Sequence, residues 1–233
     1  MQNEIKFRCS QLGKLMTEPR SKSELLSETT KTYLTEVYIG LKYGRTREIT
    51  SKYFEKGIAC EEDSITIFSR VTKEMFVKNE ENIRNEWITG TPDIFRGDAI
   101  LMAEYVPDIK TSWDIFTFFK HKTGSLDKDY YWQIQGYLWL TGAKRGSIAH
   151  CLVNTPDHLI EKEKSNFMYK NPVLSSEELD LAMAEIELNA KYDDIPIADR
   201  VHVFEIERND ADIERLKARI EDCRNYIHET FKF

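Results

Sequence analysis

Close pairs are missing among the residues that usually hold transition metals. Cys9, Cys60, Cys151 and Cys223 lie far apart with no CxxC between them. That spacing argues against a zinc knuckle, a disulfide framework or a cysteine-held cluster and leaves buried free thiols as the reading. His121, His150, His158, His202 and His228 include no HExxH or comparable pair, which argues against zinc and against histidine-based nucleophilic catalysis. No internal repeat, low-complexity tract or Pro/Gly/Ser linker interrupts the chain, so residues 1–233 read as one domain. No apolar run approaches the ~20 residues of a membrane helix, and "MQNEIKFRCS" lacks the charged head and apolar stretch of a signal peptide. The expectation is a cytoplasmic protein of a bacterium or bacterial host, with no membrane partner.

Hydrophobic residues make up 41% and aromatics 12% of the 233 residues, enough for a substantial core. Positive charge is in short supply, the net being −7, which taken alone speaks against nucleic acid. The deficit is uneven. Residues 1–60 hold 11 Lys/Arg against 7 Asp/Glu (net +4), leaving 22 against 33 (net −11) for the rest, so a basic N-terminal face on an acidic body is possible.

The periodicity gives a short helix after Ser10, a longer one from Ser27 to Tyr43, and a third over about 50–70. "VTKEMFVK", "NEWITGTPDIF" and "AILMAEYVPDIK" then read as a β-meander, with "RGD" at 96–98 turning between the last two. Further on come a helix near 113–121, the apolar helix "DYYWQIQGYLWLTG", the strand "GSIAHCLVN", a helix from Ser175 to Lys191, the strand "RVHVFEIE" and a helix from Asn209 onward. The class is α/β, with helices on both sides of a central mixed sheet.

Several polar residues fall where apolar ones are expected. An apolar stripe through Phe54, Ile58, Ile65 and Phe68 on the third helix includes Glu61, and a glutamate there must be neutral, paired or bound to a cation, unless it sits at the stripe's edge and reaches water. Gly57, one turn earlier, leaves room over that carboxylate. In "VPDIK", Asp108 and Lys110 project from one strand face while Ile109 points to the core. Asp93 follows Pro92, which cannot donate to a ladder and marks a bulge or a strand end. A hairpin at "RGD" would set Asp93 beside Asp108 and Lys110, with Glu61 across the same end. Three converging carboxylates repel one another, so the cluster makes sense around a hard divalent cation, Mg²⁺ or Mn²⁺. Such a site, with an ammonium at hand, suits phosphoryl chemistry with water as nucleophile. Gln133 lies on the helix face of Leu126, Tyr130, Tyr137 and Leu140. It would hold the lysine or a water, or else be a structural amide satisfied by backbone.

These residues resemble the PD-(D/E)XK nucleases, and within them the viral recombination exonucleases of the phage lambda exonuclease (YqaJ-like) type. "GIACE" matches the group's G-x-x-x-E helix with Glu61. "TPD" and "DIK" match its two acidic strands with Asp93, Asp108 and Lys110, and "WQIQGY" matches its Q-x-Q helix with Gln133 and Gln135. Order, approximate spacing and length agree over most of the chain. One departure is Asp in place of the commoner Glu before x-Lys, which shortens that ligand by a methylene.

The resemblance implies a single-domain restriction-endonuclease-like fold and a Mg²⁺-dependent deoxyribonuclease, Mn²⁺ substituting, that digests duplex DNA from the 5′ end in phage-type recombination or repair. Asp93, Asp108 and the Ile109 carbonyl would hold metal, and Glu61 a second metal or its water. Lys110 would orient the nucleophile, with Gln133 supporting it. "CSQLGKLMTEPRSKSE" matches the group's N-terminal stretch, which makes Arg20 the 5′-phosphate ligand, with Thr91 near a phosphate too. A homotrimeric ring around double-stranded DNA and a single-strand annealing protein as partner are further implications. The alternatives are an endonuclease of restriction or junction-resolving type and a catalytically idle fold that binds DNA or protein. The related CRISPR-associated exonucleases need clustered cysteines that this chain lacks.

Overall fold

The computed structural model describes residues 5–47 and 51–232. In chain order the elements are β1 (Phe7–Arg8), α1 (Leu12–Leu15), α2 (Glu28–Tyr43), α3 (Lys52–Ala59), α4 (Glu61–Thr72), β2 (Ile83–Arg84) and β3 (Ile88–Gly90). They continue with β4 (Tyr105–Thr111), α5 (Ile115–Thr123), α6 (Lys128–Thr141), β5 (Arg145–Cys151), α7 (Asp157–Lys170), α8 (Ser176–Leu188), β6 (Val201–Glu207) and α9 (Asp210–Phe231). The α/β class holds, and the strands form two mixed three-stranded sheets, ordered β1-β3-β2 and β4-β5-β6.

Helix ends fall where the capping chemistry puts them. Ser27 accepts from the Thr30 N–H to open α2, and Gly44, at φ 62°, closes it. Ser175 and Glu178 form a reciprocal capping box at α8, and Asn209 caps α9 through the Asp212 N–H.

In the sheet that matters most, β4 runs parallel to β5, with Asp108 opposite Ile148 and Lys110 opposite His150, and β5 runs antiparallel to β6. Helix α6 covers this sheet with a continuous buried run from Trp132 to Leu138. On its other side it packs closely against α1 at Gly136, where a Cβ would stand 2.6 Å from Leu12 Cδ1. The largest core cluster joins this helix to both ends of the chain through Phe7, Leu12, Ile134, Leu138, Leu216 and Ile220. Arg224, only 1% exposed, fastens α9 to the N-terminal segment by donating to the Ile5 and Glu86 carbonyls.

Four expectations need correction. The meander is not formed: residues 73–78 of "VTKEMFVK" are irregular and its first two residues end α4. The hairpin at "RGD" shrinks to a single antiparallel bridge between Arg96 and Tyr105, with Gly97 at φ 143° in the turn. The strand over 146–154 stops at Cys151, and α7 stands in a stretch read as having no element. The helix over 50–70 breaks at Cys60, whose backbone (φ −110°, ψ 9°) is not helical.

That break moves the buried stripe. Phe54 and Ile58 are 58% and 62% exposed, while Lys56, Cys60, Ser64 and Phe68 are buried at spacings of four. Lys56 enters by donating to the Trp113 carbonyl at 2.7 Å, and burial lowers its pKa to about 8. Ser64 pairs with Thr111 at 2.8 Å. All four cysteines are free and buried. Among the described residues no helix is long and apolar enough to cross a membrane.

Candidate active site

Strand β4 has the alternation that puts Asp108 and Lys110 on one face. Asp108 is 0% exposed, and the Lys110 ammonium lies 2.5 Å from its Oδ2, an ion contact that leaves that oxygen with no well-angled hydrogen bond. On the other oxygen, Oδ1 accepts from Gln133 Nε2 at 2.8 Å. Gln133 Oε1 in turn accepts from Lys110 Nζ at 3.4 Å. One amide therefore spans the pair, its nitrogen on the carboxylate and its oxygen on the ammonium. Gln133 Nε2 also donates to the Tyr137 hydroxyl at 3.1 Å, which donates to the Thr91 carbonyl at 3.2 Å. The chain of bonds ties α6 to the segment that delivers Asp93.

Because β4 is the edge of its sheet, alternate N–H groups point away from β5. The Ile109 N–H does so and donates to Asp93 Oδ2 at 2.7 Å. The N–H and C=O of one residue leave a strand on the same edge, so the Ile109 carbonyl faces that side as well, while its side chain is buried in the second core cluster. Asp93 itself sits in irregular backbone after Pro92. Asn79 secures the turn, its backbone N–H donating to the Asp93 carbonyl and its side chain to the Pro92 carbonyl.

The electrostatics of this group are unusual for side chains meant only to stabilise a fold. Burial, then the neighbouring Asp108, lifts the Asp93 pKa to about 8. Asp108 is raised too, by burial first, against the opposing pull of Lys110. Burial works to lower Lys110, yet Asp108 and Asp93 together outweigh it and hold the lysine above its ordinary value. Lys110 is thus an ammonium at neutral pH, suited to donating and to stabilising negative charge rather than to accepting a proton.

Glu61 opens α4 at the margin of this cluster. Its carboxylate pairs with Lys78 at 2.8 Å, yet it is near enough to raise the pKa of both Asp93 and Asp108. The space above Gly57 is open. Among the described residues no three His, Cys, Asp or Glu side chains form a group able to hold a metal ion. A cation would therefore rest on Asp93, Asp108 and a backbone oxygen, with Glu61 outside direct contact. Those two carboxylates still fit a cation: Asp108 is fully buried and Asp93 partly so, both resist ionisation, and Asp108 Oδ2 meets only the Lys110 ammonium. An all-oxygen set selects a hard divalent ion.

The N-terminal residues stand apart from this network. Arg20 is exposed in the bend after α1 and lines a cavity of about 440 Å³ with Glu18, Glu24 and Glu28. Thr91 lies next to the site, its Oγ1 accepting from Asn82. Gln135, the other amide of the motif, is structural: it donates to the Glu207 carbonyl and accepts from the Asn209 N–H. Sequence reasoning passed over two members. Tyr137 was legible one helical turn from Gln133, whereas Lys78 lay in the stretch misread as a strand.

Neither protein-family models nor curated proteins match the chain. Solved structures do. A phage-related exonuclease from Haemophilus somnus 129PT superposes with a TM-score of 0.76 at 25% identity, covering 98% of this chain and 96% of that one. An alkaline exonuclease (LHK-Exo) from Laribacter hongkongensis gives 0.64 at 16% identity, covering 97% and 90%. The complex of LHK-Exo with dAMP gives 0.64 at 16% identity, covering 99% and 91%. The structural neighbours of this chain are therefore phage-related and alkaline exonucleases, and it shares their fold along nearly its whole length.

Proposed function

We propose that the chain is a Mg²⁺-dependent DNA exonuclease that hydrolyses phosphodiester bonds processively from the 5′ end of a duplex. The observation that carries this is the pairing of Asp93 with the buried Asp108, held by the Ile109 N–H and by Gln133 against the Lys110 ammonium. Asp93, Asp108 and the Ile109 carbonyl would hold the cation, Mn²⁺ serving as well, with Glu61 reaching a second ion or its water. When bound, the cation supplies charge neutralisation at the phosphate and an acidified water.

The chain's own residues do the rest. Lys110 places a positive charge where negative charge grows on the phosphate. Gln133 keeps Lys110 and Asp108 in register, so that little reorganisation is needed during reaction. Tyr137 fixes Gln133 from behind. Water is the attacking group in this reading.

The deoxynucleotide bound by LHK-Exo agrees with a DNA substrate. Arg20 and Thr91 would take the terminal 5′ phosphate. A three-subunit ring enclosing the duplex would explain how a chain of net charge −7 retains DNA, since capture by topology needs little bulk attraction. An annealing protein for the exposed strand would complete a recombination role.

The test uses Mg²⁺ with linear duplex labelled separately at its 5′ and 3′ ends, beside closed circular DNA. Mononucleotides released first from the 5′ label, with the circle intact, support the proposal. Nicking of the circle would make the chain an endonuclease. Binding without hydrolysis would make it an idle fold.

A further inference from the structure

Just past the catalytic strand the surface changes character. Three residues after β4 ends, α5 begins with the sequence "IFTFFKHKT". Phe118 is fully buried, but Phe116 and Phe119 are 73% and 48% exposed. A spacing of three sets those two rings on one face of the helix, a turn apart. On the β4–α5 connection, Trp113 meets the ring of Tyr53, itself 59% exposed, edge-on at 5.1 Å.

Charge accompanies the rings. Helix α5 has no acidic residue and ends in Lys120, His121 and Lys122, in a protein whose net charge is −7. The Lys122 ammonium stands 5.4 Å from the Phe119 ring, while Lys52, 4.7 Å from Trp113, is already paired with Glu163. Among the described residues neither Lys120 nor Lys122 has an ion-pair partner. Exposed aromatic faces interleaved with unpaired cations suit bases that stack and phosphates that follow them.

We infer that Phe116 and Phe119, flanked by Lys120 and Lys122, form a stacking platform for unpaired bases of single-stranded DNA. Paired bases are already stacked in the helix interior and cannot cover these rings, so the platform selects single strands over duplex. The inference rests on the nuclease reading for its purpose: a site that consumes one strand of a duplex leaves the other unpaired beside it, and α5 is the helix that follows the catalytic strand. A second copy of this chain is the other surface that two exposed phenylalanines could meet, and the positive charge around them disfavours that on an otherwise acidic protein.

The test compares the wild type with Phe116→Ala/Phe119→Ala and with Phe116→Tyr/Phe119→Tyr, all three checked for unchanged melting. Anisotropy in EDTA measures binding of labelled oligothymidylate and of a blunt duplex hairpin. Hydrolysis of thymidine 5′-p-nitrophenyl phosphate with Mg²⁺ measures the site alone. Losing two stacked bases should weaken oligothymidylate binding at least ~10-fold, leave duplex binding within about twofold and leave ester hydrolysis unchanged, with the tyrosine variant restoring the affinity. Undiminished oligothymidylate binding by the alanine variant overturns the platform. So does an equal loss on both DNAs, or a fall in mass by light scattering with single-strand affinity intact, which would make the face a contact between copies. If neither protein hydrolyses the ester yet single-strand binding falls selectively, the platform stands and the nuclease reading fails.

Discussion

Asp93→Asn should make the metal-free protein more stable at alkaline pH. Asparagine keeps the shape of the side chain and, through its amide oxygen, an acceptor for the Ile109 N–H that Asp93 now receives. What it removes is a buried charge next to another. Raising a carboxyl from 3.8 to about 8 corresponds to at most about 6 kcal/mol, at ~1.4 kcal/mol per pH unit. Asp93 keeps some contact with solvent and shares its titration with Asp108, so about half of that, ~2–3 kcal/mol, is the magnitude to anticipate.

The sign follows from proton linkage. A carboxyl with a raised folded-state pKa holds its proton more tightly when folded, so the wild type loses stability as pH climbs from about 4 to about 8, and the loss levels off above that. Scanning fluorimetry in EDTA from pH 5 to pH 9 should show the variant gaining on the wild type across this window. The gap should reach roughly 5–10 °C in Tm at pH 9, on the basis of ~2–4 °C per kcal/mol for a chain of this size. Added Mg²⁺ should raise the wild-type Tm and barely move the variant. A variant that melts below the wild type at pH 9, or that keeps the full Mg²⁺ response, refutes the repulsion argument and the metal assignment respectively.

Lys110→Ala should retain DNA affinity and lose at least ~10²-fold in turnover, because its charge acts on the transition state; Lys144→Ala, exposed at the turn before β5, is the control, and equal activity in the two would make Lys110 a surface lysine. Tyr137→Phe removes one hydroxyl linking Gln133 to the Thr91 carbonyl and should destabilise by about 1 kcal/mol, with kcat falling several-fold and KM little changed; an unchanged kcat would confine Tyr137 to packing. Arg20→Ala should slow digestion of 5′-phosphorylated ends far more than of 5′-hydroxyl ends, one charge-assisted contact being lost. Equal loss on both, or the acidic surroundings of Arg20 leaving both unaffected, would remove Arg20 from the site. Light scattering should show a trimer, and a monomer that still degrades long duplex without dissociating contradicts the enclosing ring.

How legible the fold was depended on whether local pattern and burial coincided. Helices α2 and α9 were legible because a capping residue and a buried apolar stripe agree in each, and α8 because its capping box marks the start although none of its residues is buried. Helix α6 was legible as an apolar helix because it is buried along its length. The pattern misled where burial is achieved by polar means. Lys56 is inside because a carbonyl receives its ammonium, and Ser64 because Thr111 pairs with it; Phe54 and Ile58 are outside although hydrophobicity put them in. "VTKEMFVK" has strand composition but no strand pairs with it. Strand β1 has only two residues, paired with β3 across some eighty positions, and no local signal foretells such a contact.

In the site, strand alternation alone put Asp108 and Lys110 on one face, while helix phase left Gln133 open between holding the lysine or a water and serving as a structural amide. The delivery of Asp93 could not. It depends on an irregular turn held by Asn79 and on an outward N–H of an edge strand, both products of tertiary structure. The role of Tyr137 sat in plain view at i+4 from Gln133, and only the geometry shows its hydroxyl joining two elements.

The central claim is that Asp108, with Asp93 and Lys110, performs metal-dependent hydrolysis of DNA. The most direct measurement is release of acid-soluble mononucleotide from 5′-phosphorylated linear duplex in Mg²⁺, by wild type, Asp108→Asn and Lys144→Ala purified alike. The wild type and Lys144→Ala should show steady release, with none in EDTA and none by Asp108→Asn even at high enzyme. Release by Asp108→Asn at the wild-type rate, or a wild type inert in both Mg²⁺ and Mn²⁺, would contradict the central claim.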